Sequence, residues 1–123
     1  MQRIMLKSKI HRAKVTDSNL GYEGSVAIDA SLMETSGIIP FEKVEIYNVT
    51  NGNRFETYAI EAPKGSGNVI INGAAAHLAK KDDIIIIASY SVMEDQEAKA
   101  HHPVLVYVDE KNMVREVRSG IKV

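Results

Sequence analysis

The sequence of 123 residues predicts a mainly β fold, a small closed β-barrel with a few short helices. Apolar stretches are short and closely spaced, and some alternate with a period of two, as in Val44-Glu45-Ile46-Tyr47-Asn48-Val49. Turn-forming residues punctuate them too often for long helices, among them Asn51-Gly52 and the stretch from Pro63 to Asn68. No repeat, low-complexity tract or linker divides the chain, so residues 1–123 read as one domain.

The elements follow in order. Residues 3–17 alternate loosely, hold few helix signals and read as strand. Gly21 to Gly24 forms a turn or strand corner, and Val26-Ala27-Ile28 continues as strand. Asp29 or Ser31 caps a short helix reaching about Ser36, with Ser31 and Glu34 at capping-box spacing. Gly37 is placed to end that helix and Pro40 to stop it. Asn51-Gly52 is the strongest hairpin signal, with Arg54 to Ile60 as the returning strand. Pro63 to Asn68 is a turn and Val69-Ile70-Ile71 a strand. Asn72 to Ala79 looks like a tight turn opening a short helix. Ile84 to Ser91 is the most buried strand, and Glu94 to Lys99 a helical turn. Val104 to Val108 and Val114 to Val117 close the chain as a hairpin around Glu110-Lys111-Asn112.

Composition narrows the class. Hydrophobic residues at 45% and charged residues at 25% make an ordinary globular mix that can bury a core without staples. A net charge of −1 gives no reason to expect nucleic acid or a membrane surface as partner. The local cluster Lys7, Lys9, His11, Arg12 and Lys14 reads as a solvated strand face with one or two functional groups. Without cysteine there is no disulfide, thiolate nucleophile or Cys-based zinc site, which suits the cytoplasm. The N-terminal stretch lacks the apolar core of a signal peptide, and Ile84 to Ala88 is too short to span a bilayer. His11, His77, His101 and His102 show no metal-binding spacing, so no metal is expected. No P-loop or Gly-x-Gly-x-x-Gly run supports nucleotide binding.

The most informative bond is Gly24-Ser25. A serine can attack the carbonyl before it, and glycine leaves the approach clear. If that attack ends in cleavage, Ser25 becomes a new N-terminus, and elimination and hydrolysis would turn it into a pyruvoyl group. Such a ketone can form a Schiff base with a substrate amine and act as an electron sink. The dipeptide alone proves nothing, since Gly65-Ser66 is the same pair in what reads as an ordinary turn.

Other residues admit two readings. Arg54 is either a charge at the hairpin end or a carboxylate clamp, and Tyr58 either a packed aromatic or a proton donor. Alternation sets Arg54, Glu56 and Tyr58 on one face and Phe55, Thr57 and Ala59 on the other, so Thr57 joins them only through a twist or bulge. Asn72-Gly73-Ala74-Ala75 has small side chains that leave backbone N–H groups open to an anion, although such residues before a helix are common.

Ordered blocks extend this pattern along the whole chain. They are Met5-Leu6, Lys9 to Thr16, Tyr22-Glu23-Gly24-Ser25 with Ala27-Ile28-Asp29, and Asn48 to Gly52 with Arg54-Phe55 and Thr57 to Ile60. Asn72 to His77 and Asp83 to Ser89 complete them. Together they resemble the pyruvoyl-dependent aspartate 1-decarboxylase family. The resemblance implies a double-psi β-barrel, a homotetramer with active sites between subunits, and autocatalytic cleavage of Gly24-Ser25. It implies L-aspartate as substrate and β-alanine, a precursor of pantothenate and coenzyme A, as product.

By position, the resemblance makes Ser25 the precursor of a covalent pyruvoyl group, with neither a metal nor pyridoxal phosphate. Lys9 and Arg54 would bind substrate carboxylate, and Tyr58 would protonate the carbanion. Thr57 would assist processing and contact substrate, with Gly73, Ala74 and Ala75 giving backbone contacts. Tyr22, His11 and Asn72 would line or shape the site. A maturation factor is left open. The rival readings are a non-enzymatic β-barrel serving binding or oligomerisation, which predicts an intact chain, and a protein that keeps Ser25 as a hydrolase nucleophile, for which no Ser-His-Asp set is legible.

Overall fold

The computed structural model describes residues 1–121. Nine strands, two short α-helices and a 3-10 turn follow one another. The expected first strand divides into β1 (Gln2–Lys14) and β2 (Asp17–Asn19), joined through Val15 and Thr16. β3 (Ser25–Asp29) leads straight into α1 (Ala30–Ser36), and β4 (Lys43–Asn48) and β5 (Arg54–Ala62) form the hairpin. β6 (Val69–Asn72) precedes the 3-10 turn Gly73–His77. β7 (Ile84–Glu94), α2 (Asp95–Ala100), β8 (Val104–Val108) and β9 (Val114–Arg118) complete the order.

In the strand order β2-β6-β3-β5-β4-β7-β1-β8-β9, the first strand, β2, and the seventh, β1, are pieces of one continuous segment, because β2 extends β1. Across the junction, the Val15 N–H bonds Asp83 O at 2.9 Å and the Thr16 N–H bonds Val69 O at 2.8 Å. The sheet therefore closes on itself as a small barrel, with β8 and β9 added outside. Two parallel pairs inside the ring, β2 with β6 and β3 with β5, are compatible with double-psi connectivity. Ile10, Val26, Ile28, Ile46, Ala59, Ile71, Ile85 and Ile87, all fully buried, fill the interior. They alternate with outward-facing neighbours, as the pleat requires.

Two bulges break the β1–β7 ladder, at Lys7 and at His11-Arg12, and Arg12 takes φ +62° at the second. Between the alternative caps for α1 the structure selects Asp29, whose carboxylate accepts from the Ser31 N–H at 2.9 Å and the Ser31 hydroxyl at 2.7 Å. The Ser31–Glu34 capping box does not form, because Glu34 pairs with Lys64 at 3.1 Å instead. Gly37 ends the helix at φ +76°, as expected.

The hairpin is present, but not as a two-residue turn. Such a turn at Asn51-Gly52 would pair Tyr47 with Glu56, whereas the observed partner of Tyr47 is Arg54. Asn48 explains the longer loop. Its Oδ1 accepts from the N–H groups of Thr50 and Asn51, and its Nδ2 donates to Leu78 O and Asp83.

Asp29 also receives the Gly65 and Gly67 N–H groups at 2.9 and 2.8 Å, so the turn containing Gly65-Ser66 is structural. Buried Asn112 clasps the β8–β9 hairpin to the barrel, donating to Lys14 O and Gly67 O and accepting from Lys14 N–H, each at 2.8 Å.

Candidate active site

Ser25 is the first residue of β3 and is 3% exposed. Its register partner in β6 is Asn72, and the next residue, Val26, pairs with Ala59 in β5. Ser25, Asn72 and Tyr58 therefore fall in one row across three neighbouring strands. With Val26, Ile71 and Ala59 turned into the core, this row faces outward. Ile60 and Ile70 belong to the next outward row and give an apolar floor, while Tyr22, Glu23 and Phe41 form a rim. Together they enclose a cavity of about 390 Å³.

The Ser25 hydroxyl accepts from Asn72 Nδ2 at 3.1 Å and donates to Glu23 O at 3.3 Å. No imidazole is among these partners, which gives no support to a hydrolase triad. The Asn72 Oδ1 is buried without a partner, the kind of exception found where a site awaits another group. A Cβ on Gly24 would meet nothing within 4 Å, so its carbonyl is not hemmed in from that side. The 3-10 turn starts directly after Asn72, with Gly73 buried at φ +72°, Ala74 exposed and Ala75 half-buried.

The unbroken β4–β5 register keeps the two faces that alternation predicts. It contains no bulge between Arg54 and Tyr58, so Thr57 stays with Phe55 and Ala59 on the face opposite Tyr58, and it does not line the cavity. Arg54 shares the face of Tyr58 but lies four residues away, about 13 Å along the strand. Its guanidinium sits 4.1 Å above the Tyr47 ring, in a shallower recess with Glu45 and Glu56. Burial, then hydrogen bonds with Tyr90 and Glu45, push the Tyr47 phenol above its ordinary pKa.

Lys9 and His11 lie on β1, three strands from β5, and neither lines the cavity of Ser25. Lys9 pairs with Ala88, Ala88 with Glu45, and Glu45 with Glu56. Two residues on along each strand, Ile86 pairs with Tyr47 and Tyr47 with Arg54, with His11 in the adjoining bulge of β1. Burial lowers the Lys9 pKa. Burial, then the charges of Lys9 and Arg12, lower that of His11, whose Nδ1 is buried without a partner. Within one chain the serine row is thus separate from Lys9, His11 and Arg54, none of which lines its cavity. Tyr47 and Phe41 were not singled out by the sequence; only the strand register brings Tyr47 under Arg54.

Fold and site define a class: a small β-barrel that presents a buried serine, preceded by glycine, at the mouth of a cavity next to a tyrosine. The family model for aspartate decarboxylase matches residues 1–115. A curated aspartate 1-decarboxylase of Thermoanaerobacter pseudethanolicus is 59% identical over 112 residues, covering 91% of this chain and 96% of the relative. Relatives with the same name from Syntrophus aciditrophicus and Bordetella pertussis are 54% and 50% identical. They cover 94% and 96% of this chain, and 99% and 97% of their own length. The chain belongs to the aspartate decarboxylase family. It is thereby an enzyme of the carboxy-lyase class, and the reading as a non-catalytic module gives way. Among the described residues no helix is long and apolar enough to cross a membrane.

Proposed function

We propose that the chain cuts itself between Gly24 and Ser25 and then decarboxylates L-aspartate to β-alanine and carbon dioxide, in the cytoplasm, for pantothenate synthesis. The observation that carries this reading is the row Asn72–Ser25–Tyr58 at the cavity, with the Gly24-Ser25 bond at its edge.

In the cut, Ser25 Oγ attacks the Gly24 carbonyl carbon, and the acyl group moves from nitrogen to oxygen. Elimination removes the Ser25 Cα proton and breaks the Cβ–Oγ bond, which leaves Gly24 as a free carboxylate and residue 25 as an enamine that tautomerises to the imine. One water then replaces the Ser25 nitrogen, which departs as ammonia. Asn72 Nδ2 holds the hydroxyl that begins the sequence. Burial of Ser25, a clear approach at Gly24 and the Asn72 Nδ2 donor fit a pyruvoyl group formed at this position.

That group, once formed, supplies a carbonyl that takes up the electrons left by departing carbon dioxide. Tyr58, one strand away in the same row, returns a proton to the substrate α-carbon. Arg54 binds substrate carboxylate in a planar two-point geometry and Lys9 as a point charge. Thr57 acts in processing, and Gly73 to Ala75 offer backbone contacts. Tyr22 walls the cavity, and His11 shapes the surroundings of Lys9. Because none of Lys9, His11 and Arg54 lines the cavity of Ser25 in its own chain, their charges would reach a substrate there from a second copy. This favours a homotetramer with sites between subunits.

Intact mass spectrometry tests the reading. Fragments of residues 1–24 and 25–123 are expected, the larger lighter by one ammonia than hydrolysis alone would leave it. An uncut chain after prolonged incubation, with a maturation factor supplied, would overturn it.

A further inference from the structure

Residues Ile39 to Glu42 make a tight turn, closed by the Glu42 N–H on Ile39 O at 3.2 Å. Pro40 takes the second position, which suits its fixed φ. Phe41 takes the third at φ +72°, where such a turn calls for glycine or asparagine. Its ring is also 77% exposed, so little burial compensates for the backbone conformation. Neither the turn nor the core selects a phenylalanine here.

What the ring does touch is Tyr58, at a centroid separation of 6.4 Å and a tilt of 36°, within the range of a favourable aromatic pair. Both rings line the cavity of Ser25. The turn is fastened beside Tyr58 itself: the Phe41 N–H bonds Ala59 O at 2.7 Å, and the Ala59 N–H bonds Glu42 O at 3.0 Å. Glu42 anchors the turn from behind. Its carboxylate accepts from Lys7 Nζ at 2.6 Å, from the Ile39 N–H at 3.2 Å, and from the Ser89 hydroxyl. An exposed ring in an unfavourable backbone state is thus tied on both sides to the strand that carries the proposed proton donor.

We propose that Phe41 is a positioning residue for Tyr58, its ring fixing the orientation of the phenol against the Ser25 row. This rests on the role given to Tyr58 above. Phe41→Gly suits the positive φ, so the chain keeps its fold while losing the ring, and Phe41→Trp keeps an aromatic surface.

The expected result has two parts. In protein with ring-labelled tyrosine, the Tyr58 NMR signal, identified by its loss in Tyr58→Phe, shifts in Phe41→Gly. In steady-state assays of fully cut protein, Phe41→Gly lowers kcat roughly tenfold to a hundredfold with KM nearly unchanged, and Phe41→Trp restores most of it. A purely structural role would leave kcat at the wild-type value in the Gly variant, and that result, or an unmoved Tyr58 signal, overturns the proposal. A wild-type chain that releases no β-alanine would instead sink the proposed reaction, and the Tyr58 signal alone would then decide the contact.

Discussion

Gly73 and Gly24 are in backbone contact: a Cβ on Gly73 would lie 2.7 Å from both Cα and N of Gly24 and 3.0 Å from Tyr22 O. Gly73 also has φ +72°, so it is required twice, for conformation and for room. The contact sets the position of the Tyr22–Gly24 segment, where the cut is proposed, against the turn that follows Asn72.

Gly73→Ala should therefore push the Tyr22–Gly24 segment away from Asn72 and slow cleavage sharply. Gly52→Ala is the control, since Gly52 has φ +81° but open space around its Cβ position. Both variants should lose stability by about 1–3 kcal/mol. Only Gly73→Ala should accumulate uncut chain on a denaturing gel. Equal processing in the two would show that the close approach plays no part.

Thr57 and Tyr58 should separate two steps, because the strand turns them to opposite faces. Thr57→Val is expected to remain largely uncut. Tyr58→Phe should cut normally and then lose turnover by about 10²–10⁴-fold, the usual contribution of a positioned proton donor. Gel analysis paired with a β-alanine assay reads both steps. Wild-type turnover in processed Tyr58→Phe would move the proton source elsewhere.

Arg54→Ala should leave cleavage intact, because Arg54 does not line the cavity of Ser25. On fully processed protein, kcat/KM for aspartate should fall on the order of a hundredfold or more. Tyr47→Ala removes the ring beneath the guanidinium and should give a smaller loss in the same direction. Mixing Arg54→Ala with Ser25→Ala chains during assembly offers a direct check of shared sites. Mixed oligomers with recovered activity are expected, and two variants that stay inactive together would speak against them.

Asp29 should make part of the stability pH-dependent. Burial alone would raise its pKa. The hydrogen bonds from Ser31, Gly67 and Gly65 outweigh it, and the pKa lies below the ordinary value. A carboxyl whose folded pKa is depressed stabilises fully above its unfolded pKa and loses that contribution as pH falls through the folded value. The melting-temperature gap between wild type and Asp29→Asn should be constant above about pH 5 and shrink below about pH 4. A gap that widens on acidification would refute this account.

Much of the barrel could be read from alternation. Val44 to Asn48 bury alternate residues because one face of the strand meets the core. What alternation cannot provide is register between strands: Asn51-Gly52 signals a hairpin, but the amides of Asn48 set a longer loop and so decide that Tyr47 meets Arg54. Likewise Asp29 and Ser31 were equal candidates for the cap, and the choice fell to Asp29 because it also serves Gly65 and Gly67, far along the chain. Ser25 was legible from its glycine neighbour together with the family blocks. Phe41 was not, since Pro40 beside it reads only as a helix stop, and the meaning of the ring depends on the distant Tyr58. The clasp of Asn112 escaped for the same reason, its partners Lys14 and Gly67 being remote in sequence.

The closed ring gives the cut a further consequence. Every residue of β1 and β2 precedes Ser25, yet β1 runs along β7 and β8, and β2 lies against β6. If the proposed cut is made, the severed piece is no propeptide that can leave; it stays a stave of the barrel. Before cleavage the chain can unfold and refold as a unimolecular event. Afterwards two polypeptides must find each other, and reassembly becomes second order in concentration. A protein matured in this way folds once as a single chain, and its recovery from denaturation should then depend on dilution in a way that its precursor's does not.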